Sequence, residues 1–192
     1  DENFLHNVKL SNYLMTLMKD IKSLKKVVFA SSYLIYDPHL YNFSSPQKYP
    51  VSLNESDNIY PRNLTGMAKL SHEIELRFLN EFKSKQFKTI LARIYRGYGR
   101  GSRDVISRWV RSLLKNERIT VFRKEGIFDY IFSADTAEGL LRLAISGKAE
   151  GVINLGTGRA RKVEEVVEIL KKHFPKMRAG YGDSDILFEA SQ

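Results

Sequence analysis

The sequence contains no cysteine, which excludes disulfide bonds, thiolate metal ligands and a cysteine nucleophile. It also lacks any run of about 18 apolar residues, the length that a membrane-spanning helix needs. Its first ten residues have neither the basic start nor the apolar segment of a signal peptide. The four histidines show no metal-ligand spacing with carboxylates, so we predict no metal site. We expect a cytoplasmic protein with no membrane partner.

The composition is that of an ordinary globular protein, with 43% hydrophobic and 28% charged residues in a chain of 192. This length allows one compact domain with a sizeable core. The formal net charge is +9, but the basic residues come in scattered pairs such as Lys25-Lys26 and Lys171-Lys172 rather than in one stripe. Solvated helix faces explain such pairs, and a basic cleft for an anionic nucleotide is the alternative. We predict no nucleic-acid partner, because only the charge points to one.

Helical and strand-like segments alternate along most of the chain. Apolar residues recur at helical spacing in five segments, which are Leu10–Ile21, Leu70–Phe82, Val105–Leu114, Leu140–Ala144 and Val163–Phe174. Short apolar runs predict strands at Val27–Ala30, Thr89–Tyr95, Ile119–Phe122 and Gly151–Leu155. Asp135 is predicted to cap the fourth helix, and the proline-rich segment 33–64 is predicted to be a loop. Because helices separate the strands, the pattern predicts an α/β fold with a mostly parallel, doubly wound sheet and helices on both faces.

Two hydroxyl side chains, Ser31 and Ser32, follow the first predicted strand. In open α/β sheets ligands bind beyond the carboxyl ends of the strands, where such hydroxyls would face them. From these residues alone, loop capping and a role in a binding site stay open as alternatives.

Five motif-like segments follow one another along the chain: VFASSYLIYD (28–37), PRNLTGMAKL (61–70, with Glu73 following), LARIYRGYG (91–99), FDYIFSAD (128–135) and GVINLGTG (151–158). Their order resembles that in the extended short-chain dehydrogenases/reductases, the family of NAD-dependent nucleotide-sugar epimerases and 4,6-dehydratases. The resemblance implies an incomplete Rossmann-like fold in one compact unit. Residues 1–100 would be the C-terminal portion of a dinucleotide-binding domain, and residues 101–192 the remaining sheet with a small substrate-binding part.

The family's glycine-rich G-x-x-G-x-x-G loop, which holds the pyrophosphate of the cofactor, does not occur in this sequence. We therefore expect the chain to be a fragment of a longer polypeptide that supplies the loop. On that condition the resemblance implies NAD or NADP as cofactor. Asn7, Ser31, Lys69 and Tyr95 match positions that flank the cofactor in the family.

The family's catalytic group combines a Tyr-x-x-x-Lys pair with a serine. Ser32 matches the serine and Lys69 the lysine, but Thr65 stands at the tyrosine position. A threonine hydroxyl is too weakly acidic to replace a tuned phenol as a general base. Thr65 would then position substrate or water, while Lys69, a tyrosine near the site or water carries the proton.

The residues expected to bind the nucleotide-sugar also depart from the family. Arg96 and Arg100 stand where the family has asparagine and proline, and Phe128 replaces an arginine that clamps the diphosphate. Arg96 and Arg100 could supply the missing charge, because a guanidinium binds phosphate through two hydrogen bonds. The alternative is that both are solvated loop arginines.

Two functions follow from the resemblance. The first is an NAD(P)-dependent epimerase/dehydratase-like protein that acts on a nucleotide-sugar, with Ser32, Thr65 and Lys69 as catalytic residues. The alternative is a catalytically degenerate binding or regulatory module within a larger protein, which Thr65, Phe128 and the absent glycine loop favour. The resemblance also implies a homodimer formed through the helix at 65–82.

Overall fold

The computed structural model describes residues 2–84 and 87–182 of the chain. Its α-helices are α1 (Glu2–Met18), α2 (Leu64–Phe78), α3 (Val105–Leu114), α4 (Ser133–Ile145) and α5 (Val163–His173). Its strands are β1 (Lys26–Ser32), β2 (Lys88–Ile94), β3 (Arg96–Tyr98), β4 (Ile119–Phe122), β5 (Ile127–Phe128), β6 (Tyr130–Phe132), β7 (Gly151–Leu155), β8 (Arg161–Lys162) and β9 (Ala179–Gly182). None of the helices in these residues is long and apolar enough to cross a membrane.

The elements divide into two compact units. The first contains α1, β1, α2, β2 and β7, together with α4 from Ala137 onward. The second contains the segment Phe43–Ser52, the strands β3 to β6, α3, β8, α5 and β9. Each unit has its own strands and its own apolar core.

The first unit is built on a parallel sheet in the order β1-β2-β7. On one face, Met15 of α1 and Leu76 of α2 pack against Leu91 of β2. On the other face, Gly139 of α4 lies so close to Leu155 that a Cβ there would come within 2.7 Å of its side chain. Leu155 points away from the α1 and α2 face, because Val152, three residues earlier, packs on that face and strand side chains alternate. This confirms the predicted parallel sheet with helices on both faces.

The second unit has three two-stranded pairs, of which β3-β6 and β4-β9 are parallel and β5-β8 is antiparallel. Its core lies between α3, α5 and β4, with Trp109, Ile119 and Leu170 among its buried residues. The indole nitrogen of Trp109 donates to the backbone oxygen of Thr120 at 3.0 Å. The indole therefore joins α3 to β4 both by packing and by a hydrogen bond.

Three predicted elements, Val105–Leu114, Ile119–Phe122 and Gly151–Leu155, have the observed bounds. The strands β3, β5, β6 and β8 were not predicted, because two or three residues are too few to show a period. The strand β9 was not predicted because it contains two glycines, a residue that is depleted in strands. The prediction that Asp135 caps a helix is wrong. α4 begins at Ser133, so Asp135 lies inside its first turn, where a carboxylate still favours the positive end of the helix dipole.

We expect Leu170→Ala to lower the free energy of unfolding by about 2–5 kcal/mol, because it leaves a cavity in the core of the second unit. Leu170 is 6% exposed and its neighbour Ile169 is 40% exposed. Ile169→Ala is therefore the matched control and should have a clearly smaller effect. Fluorescence of Trp109, the single tryptophan, reports unfolding of this unit in a urea titration. Equal effects of the two substitutions would contradict the assignment of this core.

Candidate active site

Polar side chains line the carboxyl ends of the three strands in the first unit. Ser31 on β1 is paired with Arg93 on β2, and Arg93 with Asn154 on β7. Helix α2 runs past this row and carries Thr65, Lys69 and Glu73 at intervals of four residues. That spacing places all three on one side of the helix. The ends of the strands and one side of α2 thus bring together chemistry-bearing residues from distant parts of the chain.

A buried ion pair lies at the centre of this row. The Nη2 atom of Arg93 is 2.9 Å from Oε2 of Glu73, its Nε donates to Oε1 at 3.2 Å, and both side chains are 1% exposed. The hydroxyl of Ser31 donates to the same carboxylate at 2.5 Å. Burial lowers the pKa of Arg93, but hydrogen bonds to Glu73 and Tyr36 raise it by more, so the net shift is upward. The guanidinium is therefore a permanent cation that neutralises Glu73.

The network extends from Arg93 to the loop that follows β1. The guanidinium lies over the ring of Tyr36 at 4.7 Å and donates to the backbone oxygen of Glu55 at 3.2 Å. The hydroxyl of Tyr36 donates to Asn154 at 2.7 Å, and the amide of Asn154 donates to the backbone oxygen of Leu53 at 2.9 Å. Burial is the main reason that the pKa of Tyr36 is raised. Tyr36 is thus held by its neighbours as a structural phenol.

Lys69 is held beside the end of β1. Its ammonium donates to the backbone oxygen of Ala30 at 2.7 Å and lies 5.1 Å from the centre of the Phe29 ring. Burial lowers the pKa of Lys69, because a desolvated ammonium is disfavoured relative to the neutral amine. In the described part of the chain its other two N–H donors meet no protein acceptor. Lys69 is therefore a half-buried cation with donors to spare for a ligand.

Ser32 and Thr65 lie in two different turns. Ser32 begins the turn that follows β1, and Thr65 lies in the first turn of α2, one turn before Lys69. Ser32 is half-buried, and its Oγ accepts from the backbone N–H of Leu34 at 3.2 Å, capping the 3₁₀ turn Tyr33–Ile35. Thr65 lies exposed in the first turn of α2. Gly66 lets the first turn of α2 approach the 3₁₀ turn Tyr33–Ile35, since a Cβ there would lie 2.5 Å from the backbone oxygen of Leu34. The cap that Ser32 provides and the absence of a side chain at position 66 thus set how α2 meets the strand end.

The other predicted site residues fall in different places. Asn7 is exposed on α1, and Ser31 is buried with its hydroxyl on Glu73. Tyr95, Arg96 and Arg100 belong to the second unit, where Tyr95 is half-buried and Arg100 is exposed. The roles given to these residues stay predictions.

Arg96 and Phe128, two residues that depart from the family pattern, are in contact with each other. The guanidinium of Arg96 lies 3.8 Å from the centre of the Phe128 ring. Near them, the carboxylate of Asp129 accepts from the backbone N–H groups of Thr157 and Gly158 at 3.0 and 2.8 Å. The stacked Arg96 and Phe128 thus lie next to a loop that Asp129 holds in place.

Sequence reasoning missed the partners that hold the site together. Glu73 and Arg93 were visible as motif positions, but nothing in the sequence said that they pair. The links from Tyr36 through Asn154 to Leu53 span 118 and 101 residues, which no local pattern reveals. His72 is 3% exposed, and its Nε2 has no hydrogen-bond partner among the described residues; no sequence pattern indicated this burial.

Similar proteins identify the family of this chain. The sequence model of the NAD-dependent epimerase/dehydratase family matches residues 1–156. A protein of Methanocaldococcus jannaschii named "Putative UDP-glucose 4-epimerase" is 28% identical over 152 residues, which are 76% of this chain and 46% of that protein. The chain thus spans about half the length of this relative.

Solved structures show the same fold. A UDP-N-acetylglucosamine 4-epimerase from Methanobrevibacter ruminantium M1, bound to UDP-N-acetylmuramic acid, superposes with a TM-score of 0.77 at 24% identity. The match covers 93% of this chain and 56% of that one. The protein MoeE5 in complex with UDP-glucose and NAD has a TM-score of 0.73 at 25% identity, covering 94% and 58%. The predicted incomplete Rossmann-like fold is confirmed.

Breaking the buried pair from one side should be strongly destabilising. We expect Arg93→Met to lower the free energy of unfolding by about 3–5 kcal/mol, because it leaves the Glu73 carboxylate buried without its cation. The double variant Arg93→Met/Glu73→Leu should recover much of that loss, since no unpaired charge remains. Urea titrations of the single and double variants measure the coupling between the two residues. Additive effects would mean that the two side chains do not act as a pair.

Proposed function

Because the chain belongs to the NAD-dependent epimerase/dehydratase family, we propose that it is part of an enzyme that acts on a nucleotide-sugar with NAD or NADP as cofactor. The observation that carries the proposal is the position of Lys69. This half-buried cation donates to the backbone oxygen of Ala30, and Ala30 lies two residues before Ser32. Support for the ligands comes from MoeE5, whose structure contains UDP-glucose and NAD.

The residues of this chain fit one end of a dinucleotide. The two N–H donors of Lys69 without protein acceptors suit the hydroxyls of a ribose. The sequence has no G-x-x-G-x-x-G loop, so the pyrophosphate would be held by another part of the intact protein. When bound, the nicotinamide would supply the hydride acceptor and donor. Asn7, Ser31 and Tyr95 stay our predicted further contacts to the cofactor.

The proton must be handled without a tyrosine at position 65. Burial moves the pKa of Lys69 down toward neutral pH, the direction that helps a group to exchange protons under working conditions. We propose that the neutral amine of Lys69, which burial makes more accessible, accepts the proton of the sugar hydroxyl directly or through a water. It becomes the ammonium, which gives the proton back in the reverse step. Ser32 would bind the sugar oxygen, and Thr65, exposed one turn before Lys69, would orient substrate or water. Arg96 and Arg100 stay predicted ligands of the phosphates.

A second candidate is a catalytically degenerate module that keeps the fold and binds a nucleotide without turnover. One observation favours it. The buried Tyr36 is committed to Arg93 and Asn154, so this tyrosine, near the end of β1, does not replace the phenol missing at Thr65. The division into a dinucleotide-binding portion at 1–100 and a substrate portion at 101–192, the cytoplasmic location and the absence of nucleic-acid and membrane partners likewise stay predictions.

Alanine variants of the intact protein test the first candidate. Ser32→Ala and Lys69→Ala should each lower turnover of nucleotide-sugars by about 10²–10⁴-fold, the usual contribution of a positioned proton-transfer group. Lys69→Ala should also weaken NAD binding, measured by calorimetric titration. Lys22→Ala, which removes an exposed lysine, is the control and should change neither quantity. Wild-type turnover in both site variants would rule out their catalytic roles.

Restoring the tyrosine separates the two candidates. Thr65→Tyr places a phenol one helical turn before Lys69, and it should raise turnover if the site is active but lacks a good base. In a degenerate module, neither the wild type nor Thr65→Tyr would turn over substrate, while nucleotide binding would persist.

We also propose a homodimer formed through the helix at 65–82. Apolar side chains at helical spacing are exposed on α1 and α2, among them Leu10, Tyr13, Leu14, Ile74 and Phe78. Large exposed apolar surfaces of this kind mark interfaces in soluble proteins. The rings of Phe78 and Phe82 lie 5.3 Å apart at the end of this surface.

A charge in this surface should break the dimer. Phe78→Glu should shift the sedimentation coefficient from dimer to monomer at micromolar concentration, because it would bury an unpaired carboxylate in the interface. Leu141→Glu is the matched control, since Leu141 is 66% exposed on α4 across the sheet, and it should leave the dimer intact. A wild type that sediments as a monomer would refute the proposed dimer.

A further inference from the structure

A buried histidine links the two helices that pack on one face of the first sheet. His72 on α2 is 3% exposed, and its Nδ1 lies 3.0 Å from the hydroxyl of Ser11 on α1. Its Nε2 is buried and has no hydrogen-bond partner among residues 2–84 and 87–182. A buried polar atom without a partner costs free energy, so the packing around His72 enforces a position that the ring would not otherwise favour.

The hydrogen bond sits one helical turn from two residues of the proposed cofactor site. Ser11 follows Asn7 by four residues on α1, and His72 follows Lys69 by three on α2, so each pair lies on one side of its helix. The distance between Asn7 and Lys69 therefore depends on how α1 is placed against α2 at this contact.

His72 and Lys69 are also coupled through Phe29 of β1. The His72 ring meets the Phe29 ring edge-on at 5.5 Å, and the Lys69 ammonium lies 5.1 Å from the centre of the same ring. Burial first, and the charge of Lys69 second, lower the pKa of His72 below its ordinary value of 6.5. The groups that face the imidazole are thus the Ser11 hydroxyl from α1, Phe29 from β1 and the Lys69 ammonium from its own helix.

We propose that the Ser11–His72 hydrogen bond is a positioning device that holds α1 against α2, so that cofactor affinity depends on the neutral form of His72. Asn7 and Lys69 touch the cofactor in this account, and Ser11 and His72 act through them. The affinity part of the proposal rests on the proposed function, whereas the coupling of His72 to Lys69 does not.

The direction of the pH effect follows from the lowered pKa. Between the folded-state pKa and 6.5, the unfolded chain binds more protons at His72 than the folded chain does. Stability from this group is thus fully present above 6.5 and is lost as the pH falls through that window. Cofactor affinity depends on the folded protein, so it should fall at lower pH, as the pH passes the folded-state pKa. Protonation of His72 then puts a second cation beside Lys69 and leaves a buried Nε2–H without an acceptor.

Variants of the intact protein test the device by calorimetric titration with NAD between pH 5.5 and 8. Ser11→Ala and His72→Phe should each weaken binding about two- to tenfold at pH 7.5, the range for one lost hydrogen bond. The double variant should be no weaker than the worse single one. Ser11→Thr, which keeps the hydroxyl, should bind NAD with wild-type affinity. The fall in affinity that accompanies protonation of His72 in the folded protein should be absent in His72→Phe.

Wild-type affinity and an unchanged pH profile in His72→Phe would overturn the proposal. If the wild type binds no dinucleotide, the proposed function fails, and the coupling is then decided by the rate at which acetic anhydride labels Lys69. That rate, read by mass spectrometry of the same variants, should show an inflection at the titration of His72 in the wild type and none in His72→Phe. Identical labelling profiles would overturn the coupling as well.

Discussion

The buried pair of Arg93 and Glu73 is the interaction on which the rest of the first unit depends. Two opposite charges removed from water are tolerated only when each satisfies the other and the remaining hydrogen-bonding atoms also find partners. Here the Glu73 carboxylate accepts hydrogen bonds from Arg93 and Ser31. The guanidinium also donates to the backbone oxygen of Glu55 and lies over the Tyr36 ring. An arrangement of α2 that separated Glu73 from Arg93 would leave both buried charges unpaired.

The pair also explains where Lys69 lies. Glu73 and Lys69 are one helical turn apart on α2. The contact that fixes Glu73 against β2 therefore also places Lys69 at the end of β1, where its ammonium donates to the Ala30 backbone oxygen. The ion pair is buried and inert, whereas the lysine is half-buried and keeps donors for a ligand. Helix α2 thus positions both the buried, paired charge of Glu73 and the half-buried lysine that keeps donors for a ligand.

Much of this could be predicted from the sequence, and the reasons for the rest are physical. The bounds of α3 and β7 followed from the local pattern of apolar residues, which segments of their length are long enough to show. Lys69 and Ser32 were predicted as site residues because the spacing of the motifs reflects the helix and the strand that carry them. The hydrogen bond between Ser11 and His72 was invisible, because side chains 61 residues apart meet only through tertiary packing. The short strands of the second unit were missed because their pairing, rather than their composition, makes them strands.

We propose that the buried pair organises a cofactor site that it does not itself touch. Calorimetric titration of the intact protein with NAD, comparing the wild type with Arg93→Met at a temperature where both are folded, tests this most directly. We expect Arg93→Met to bind NAD much more weakly, because Lys69 loses its fixed position. NAD binding of wild-type strength in folded Arg93→Met would contradict it.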